Sequence, residues 1–359
     1  MININILTEG FVSPNGKAFL FPLILYREVL REMDICWKLY KSFDSGIYDC
    51  DLLIVDSKYH RLRWIADTEG VLQEFELFKR RVPKVFYFDT TDSSGMIQVE
   101  LLDLVDSYYK SQLLKDRTRY LKSMYGHRFF TDYYHKENDA ADLEEEYSNC
   151  VENKKLLEKL KVSWNSGLAD YSFYGPYLME LYAHIPLSCL LSFPIKFFKP
   201  NQNRLVNVQA RMRVNYSRES VAWQRKEIVK KLGKYLSTSK LSRWKFFKEL
   251  TNSKIVVSPF GFGEITLKDY EVFITGGLLF KPDMSVIETW PDLFITDRTM
   301  VSHKWDLSDF NEKLEMVLDD YSNYIEIAKN GQENYRRYIS KDTGGVLFAD
   351  HFFEIVRTI

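Results

Sequence analysis

The sequence predicts an α/β protein of two halves, each a parallel sheet covered by helices. Three observations predict it. Short apolar runs at Ile2 to Leu7, Asp51 to Asp56 and Val85 to Asp89 alternate with stretches of helical spacing, Leu20 to Met33 and Gly70 to Arg81. The middle of DLLIVD is continuously apolar, as a parallel strand covered on both faces requires. The alternation restarts after KPNQNR, Lys199 to Arg204, the strongest linker signal in the chain. Strands alternating with helices imply right-handed βαβ units and doubly wound sheets. At 359 residues the chain has room for both halves.

In the first half, residues 1–200, the strands are Ile2 to Leu7, Ile35 to Tyr40, Asp51 to Asp56 and Val85 to Asp89. Ligands of such sheets bind beyond the carboxyl ends of the strands. Three loops therefore matter: Glu9 to Lys17, Asp56 to Arg63, and Asp89 to Gly95. The last, DTTDSSG, reads either as a hydroxyl-binding loop or as a helix N-cap. Val105 to Leu114 reads as a strand flowing into a basic helix. His127 and His135 flank an aromatic cluster, as substrate contacts or as structural histidines. Residues 136–165 are strongly charged, with a stripe through Leu143, Tyr147, Val151 and Leu157 that predicts a solvated helical insertion.

The second half, residues 201–344, opens with a strand at Leu205 to Val214. An N-cap follows in NYSRES, then helices at Ala222 to Leu236 and Leu241 to Leu250. Later come a short strand at Phe294 to Thr296 and a helix from Leu314 to Asn330. A final helix near Gly345 to Val356, within residues 345–359, is expected to cross back to the first half.

The net charge of −1 argues against a nucleic-acid binder. Basic clusters at Lys79-Arg80-Arg81 and Arg61 with Arg63 read as solvated helix faces or ends, or as a peripheral membrane-surface or acidic-substrate patch. Cys36, Cys50, Cys150 and Cys189 show no zinc spacing and read as reduced thiols. There is no signal-peptide pattern at the start and no uninterrupted apolar stretch of membrane length. These features predict a cytoplasmic protein, with the inner face of a membrane as its other expected place.

The chemistry concentrates in SKIVVSPFGFGEITLKDYEVFITGGLLFKPD, Ser253 to Asp283. It reads as strand, glycine turn, helix and strand. Gly261 and Gly263, around Phe262, allow close backbone approach. The amides at the helix start favour an anion such as a diphosphate. Glu264 either caps those amides or meets a sugar hydroxyl. Glu271 falls seven positions on, close to the same helix face. Lys268, Arg211 and Arg213 are the cation candidates, the two arginines sharing a face by strand alternation. No metal signature is evident, since Asp49-Cys50-Asp51 begins a buried strand.

SPFGFGEITLKDYEVFITGGLLFKPD resembles the donor-binding segment of GT-B glycosyltransferases, in the group-1-like and CgeB-like branch. The resemblance covers roughly Ser253 to Tyr338, including WPDLF, HKWDLSDF and NGQENYRRY. It implies a GT-B fold: two Rossmann-like domains facing a cleft, acceptor in the first and nucleotide sugar in the second. It also implies that Glu271 is the ribose-binding glutamate. Glu264 is separated from it by six residues where the family has seven. The implied activity is transfer of a sugar from a nucleotide-sugar donor to a glycan, lipid-linked or protein acceptor, in surface polysaccharide or glycoconjugate synthesis, with no separate cofactor. Glu9, Asp89 and Asp92, on cleft-facing loops, are the candidate bases. A nucleotide-sugar epimerase and a non-catalytic binding protein on the same fold are the alternatives.

Overall fold

The computed structural model describes residues 1–233 and 237–357. The strands in chain order are β1 (Ile2–Leu7), β2 (Ile35–Tyr40), β3 (Leu52–Asp56), β4 (Val85–Asp89), β5 (Ser107–Lys110), β6 (Gln112–Leu114), β7 (Leu160–Val162), β8 (Val206–Gln209), β9 (Ser253–Val257), β10 (Leu278–Pro282), β11 (Ile287–Thr289) and β12 (Val301–His303). The first half holds a six-stranded sheet in the order β2-β1-β3-β4-β5-β7, and the second a four-stranded sheet in the order β12-β10-β9-β8. Every pair within both sheets is parallel. Strands β3 and β4, apolar up to a terminal aspartate, are buried along their length, as two-sided coverage demands. Two Rossmann-like domains with parallel sheets, the GT-B arrangement, follow from this topology.

Several elements differ from the sequence expectation, each for a local reason. The helix expected over Leu20 to Met33 is two helices, Pro14–Leu25 and Arg27–Glu32, broken at Tyr26. Val105 to Leu114 forms β5 and β6 rather than one strand, the basic stretch after it is a single 3-10 turn, Arg117–Leu121, and β6 pairs antiparallel with β11 of the other half. The strand opening the second half stops at Gln209, so Arg211 and Arg213 lie in the following loop and strand alternation does not place them. No strand forms at Phe294 to Thr296, where Thr296 makes a single bridge to Met300. The expected Leu314 to Asn330 helix is two, Phe310–Asp319 and Tyr321–Tyr338. The Ala222 to Leu236 helix is observed as Glu219–Leu232, and residues 234–236 lie outside the described residues.

The charged insertion near 136–165 has no α-helix beyond Asn138; residues 139–153 are irregular, followed by a 3-10 helix at Lys154–Lys159 and β7. Its four-residue apolar spacing imitates one, but the backbone is held by residues 120–126 instead. Gly126 donates to Glu146, Ser148 to Met124 and Val151 to Tyr120. The segment is a strap between halves. Asp142 accepts from the Ser220 amide (2.8 Å) and hydroxyl (2.7 Å), capping the Glu219–Leu232 helix from the other half. The NYSRES segment itself provides no side-chain cap.

One apolar core runs through both halves, joining Ile6, Val55 and Phe88 to Val256, Tyr270 and Phe273. Tyr270 stacks between Tyr171 and Tyr335 at 5.1 and 5.6 Å. The final helix, Thr343–Val356, lies against the first half: Phe348 stacks on Tyr26, and the Tyr109 hydroxyl donates to the Ile355 carbonyl. No described helix is long and apolar enough to cross a membrane.

Candidate functional site

The carboxyl ends of the two sheets meet at the turn after β9. This turn is closed by its own bonds. Gly261 N–H donates to the Gly263 carbonyl (2.9 Å), and Phe260 N–H donates to Gln224 Oε1 (3.0 Å). A Cβ on Gly263 would sit well inside the van der Waals radius of the Asp92 carbonyl oxygen, on the other half. The glycine there serves the close approach of two domains. A Cβ on Gly261 would meet only ordinary contacts, with Arg225 Nη2 and Thr266. Gly263→Ala is therefore expected to destabilise the protein by about 2–3 kcal/mol, while Gly261→Ala unfolds close to wild type in a thermal melt. Equal melts for the two would refute this account of the turn. The Phe262 ring is exposed, and its carbonyl accepts from Arg128 Nε (2.7 Å).

The Leu267–Thr275 helix begins with a capping box, in which Thr266 and Asp269 satisfy each other's backbone amides. Glu264 therefore does not cap it, and it precedes the helix rather than sharing a face with Glu271. Glu264 is fully buried: its two carboxylate oxygens accept from the Ser94 hydroxyl (2.7 Å) and amide (3.0 Å) across the domain junction. Burial raises its pKa, offset by these bonds. In this arrangement Glu264 closes the junction and is not available to a sugar hydroxyl.

Glu271 lies mid-helix and is 8% exposed. Its partner is Arg243, at 3.2 Å. Arg243 also donates to the Phe173 and Ser172 carbonyls (2.7 Å each), which fixes the guanidinium. Burial pushes the Glu271 carboxyl up to about 7, against the opposing pull of Arg243. Lys268 Nζ donates to the Arg211 and Val257 carbonyls, at 2.9 and 2.7 Å, bridging the ends of β8 and β9. Burial, then Arg225, bring this lysine down to about 7. Arg225 is buried beneath the turn and donates to the Phe260 carbonyl (2.6 Å) and the Arg213 carbonyl (3.0 Å).

Arg211 does not point free into a cleft. Glu249 takes it in a two-point fork, at 2.8 and 2.7 Å. Arg213 donates to the Asn215 carbonyl and lies over the Tyr216 ring, whose other neighbour is Arg225. Beside these residues opens a pocket of about 890 Å³, lined by Arg211, Arg213, Asn215, Ser239, Arg243 and Phe246 among others. It is large enough for a nucleoside.

On the facing half, the three candidate bases separate. Glu9 is anchored to the Ser13 amide (3.0 Å) and to Arg61 (3.4 Å). Asp89 is 2% exposed, paired with the fully buried Lys110 at 2.7 Å and bonded by the Tyr108 and Thr91 hydroxyls. Burial alone would raise its pKa, but Lys110 and Thr91 hold it below the usual carboxylate range. A carboxylate so committed is not free to take a proton from an acceptor. Asp92 is exposed and accepts from Asn15 Nδ2 (2.8 Å). It lines a cavity of about 40 Å³ in the first half, with Thr91, Ser111, Gln112, Asn165 and Ser166 beside Phe19 and Trp164, to which the second half contributes Ile265. His127 and His135 stand elsewhere: His135 stacks on Tyr125, and His127 faces Glu146.

No family model and no curated protein matches the chain. Among solved structures it is similar to a glycosyltransferase from Rickettsia africae ESF-5 (TM-score 0.47, 9% identity, 99% of each chain covered). It is similar also to the T4 phage β-glucosyltransferase (TM-score 0.43, 12% identity, 99% of each chain). A third likeness is to S. aureus MnaA with UDP (TM-score 0.33, 9% identity, 97% of this chain and 98% of that one). At these TM-scores the likenesses carry no weight, and the chain's own geometry has to.

Arg225, Arg243 and Asn165 were not singled out from the sequence. Arg225 sits on a helix rich in Lys and Arg, where nothing distinguishes one cation from the next. Arg243 is a single charge 28 residues from its carboxylate.

Proposed function

We propose that this protein is a glycosyltransferase moving a sugar from a nucleotide-sugar donor to an acceptor hydroxyl. One observation carries the reading. A buried carboxylate, Glu271, is fixed by Arg243, which lines a nucleoside-sized pocket; Lys268 lies close to Glu271 and Arg225 close to Lys268, with the exposed Asp92 on the opposite domain.

In this reading Glu271 accepts hydrogen bonds from the ribose hydroxyls. Lys268 spends two of its three donors on carbonyls and keeps one for a phosphate oxygen. Lys268 and Arg225 together supply countercharge to the leaving diphosphate, in a site made of preset donors. Asp92 takes the proton of the acceptor hydroxyl. The cavity beside it is too small for a sugar as it stands, so the acceptor enters by parting Gly263 from Asp92 and Glu264 from Ser94. The expected acceptor is a glycan, a glycolipid or a glycoprotein, and the expected setting is surface polysaccharide synthesis in the cytoplasm. An epimerase needs several free carboxylates around one sugar. Glu264 and Asp89 are bound to Ser94 and Lys110, which disfavours that reading.

The test is a thermal-shift screen against nucleoside diphosphates and nucleotide sugars. At a hundred times the dissociation constant, binding adds about 2.7 kcal/mol and raises Tm by roughly 3–5 °C. A flat response across the whole panel, at millimolar concentrations, would overturn the proposal.

The affinity is also expected to depend on pH with two limbs. Lys268 must be charged to hold phosphate, and it loses its proton as pH rises through about 7. Glu271 must be ionised to accept from both ribose hydroxyls, and it gains a proton as pH falls through about 7. Affinity therefore peaks near neutrality. Lys268→Met should remove the alkaline limb and Glu271→Gln the acidic limb, as read by calorimetric titration. A profile unchanged by either substitution contradicts these roles.

A further inference from the structure

An apolar groove opens next to the candidate nucleoside pocket. The Gly175–His184 helix turns Tyr177 and Leu181 outward, and the segment after it exposes Ile185 and Leu187. Ile195 is 93% exposed and Trp244, on the Arg243–Leu250 helix, 60%. These two elements meet: Pro194, Ile195, Lys196, Trp244, Phe247 and Lys248 line one groove of about 580 Å³. Scattered exposed apolar residues are ordinary, but a contiguous set of large ones marks an interaction surface.

The segment carrying Ile195 is pinned on both sides of it. Phe193 stacks on Tyr26 at 5.1 Å, and Phe198 N–H donates to the Ile274 carbonyl at 3.0 Å. Pro194 is buried between these anchors. Ile195 is thus presented to the outside by a segment held to the body of the protein, with no protein surface over it.

Charge decides what covers this surface. The whole chain is balanced, with 49 basic and 50 acidic residues. Residues 181–199 and 237–248 together contain Lys196, Lys199, Lys240, Arg243, Lys245 and Lys248, and no Asp or Glu. All five lysines are exposed. The flanking acids are already taken, Glu180 by Lys17 and Glu249 by Arg211. The one carboxylate lining the groove, Asp170, is buried and accepts from the Ser172 amide (2.8 Å), so aromatic and aliphatic side chains ringed by exposed lysines match the interfacial zone of an anionic bilayer. Trp and Tyr settle at headgroup depth, aliphatic tips enter the acyl boundary, and lysines meet lipid phosphates.

We propose that this face docks the protein peripherally on a membrane containing anionic lipid, with Ile195 and Trp244 inserted and Lys196, Lys245 and Lys248 at the headgroups. The expected contact is not the one suggested by Lys79-Arg80-Arg81, whose helix lies on the first sheet. The surface adjoins the candidate nucleoside pocket through Tyr177 and Arg243. Docking would hold that pocket near the lipid surface. The inference stands apart from the transferase reading, because it is tested without any nucleotide.

The experiment is co-sedimentation of the full chain with vesicles of phosphatidylcholine alone and of phosphatidylcholine mixed with phosphatidylglycerol. The chain should bind the mixed vesicles, bind the neutral ones far more weakly, and be released by raised salt. Each Lys→Ala change at 196, 245 or 248 should weaken binding roughly five-fold. Ile195→Asp with Trp244→Glu should weaken it by more than about ten-fold. Both positions are exposed, so the double variant should melt like wild type. Three results would overturn the proposal: no binding to either vesicle, binding unchanged in the double variant, or a wild-type dimer in solution that the double variant dissociates. The last would assign the face to a second copy of the chain.

Discussion

Glu271→Ala is expected to weaken nucleoside diphosphate binding about 100-fold, which corresponds to about 2.7 kcal/mol. Hydrogen bonds to a charged partner contribute about 1.5–3 kcal/mol, and a carboxylate reaches two ribose hydroxyls at once. The loss should be nearly equal for a nucleoside diphosphate and its nucleotide sugar, because the contact is to the ribose. Titration calorimetry with both ligands measures it. The fold should survive, since Arg243 keeps the Ser172 and Phe173 carbonyls when its carboxylate is gone. The free protein should also report the change. Burial raises the folded-state pKa of Glu271 to about 7, from an ordinary value of 4.5. Its contribution to stability is therefore fully present below about 4.5 and is lost as pH rises through about 7. The variant should show a shallower decline in Tm over that window. Unchanged affinity for both ligands would remove Glu271 from the site.

Lys110→Met is expected to cost about 3–5 kcal/mol, and to lower Tm by roughly 4–7 °C. Lys110 and Asp89 are both buried, and they face each other at 2.7 Å at the carboxyl ends of β5 and β4. Removing the ammonium leaves a buried carboxylate with only hydroxyl and amide donors. The folded pKa of Asp89 is now held below its ordinary value by Lys110, so the stability it contributes is present above pH 4 and lost in acid. Without Lys110, burial dominates and the sign reverses. Adding Asp89→Asn to Lys110→Met should recover most of the loss, because the uncompensated charge is gone. A single variant as stable as wild type would show that the pair carries no such energy. If Asp89 were instead the base of a reaction, the double variant would be stable but inactive, which separates structure from chemistry.

Much of the architecture was legible because it is local. DLLIVD and VFYFD carry the unbroken apolar pattern of covered parallel strands, and both are strands. KIVVSPFGFGE to GGLLFKP announces strand, turn, helix and strand, and the structure has each of them. Where spacing alone was used, it failed in places. Leu143, Tyr147 and Val151 repeat every four residues, yet the segment is tied to residues 120–126 as an extended strap. Backbone partners far along the chain overrode a pattern that no local bond supported. Arg211 looked like a free cation because its partner, Glu249, lies 38 residues on.

The Ser253 to Asp283 stretch shows the division most clearly. By itself the sequence determined that a βαβ unit forms here, and that Glu271 sits within its helix. Apolar periodicity, the glycines and the Thr266/Asp269 box act within a few residues of one another. Only the tertiary structure decided what each polar group faces. Glu264 was sent to Ser94 on the other domain, Glu271 to Arg243, and Gly263 to the backbone of Asp92. These partners are set by how two sheets dock through one shared core and the β6–β11 pair. Docking depends on shape complementarity between surfaces distant in the chain, and periodicity carries no record of that.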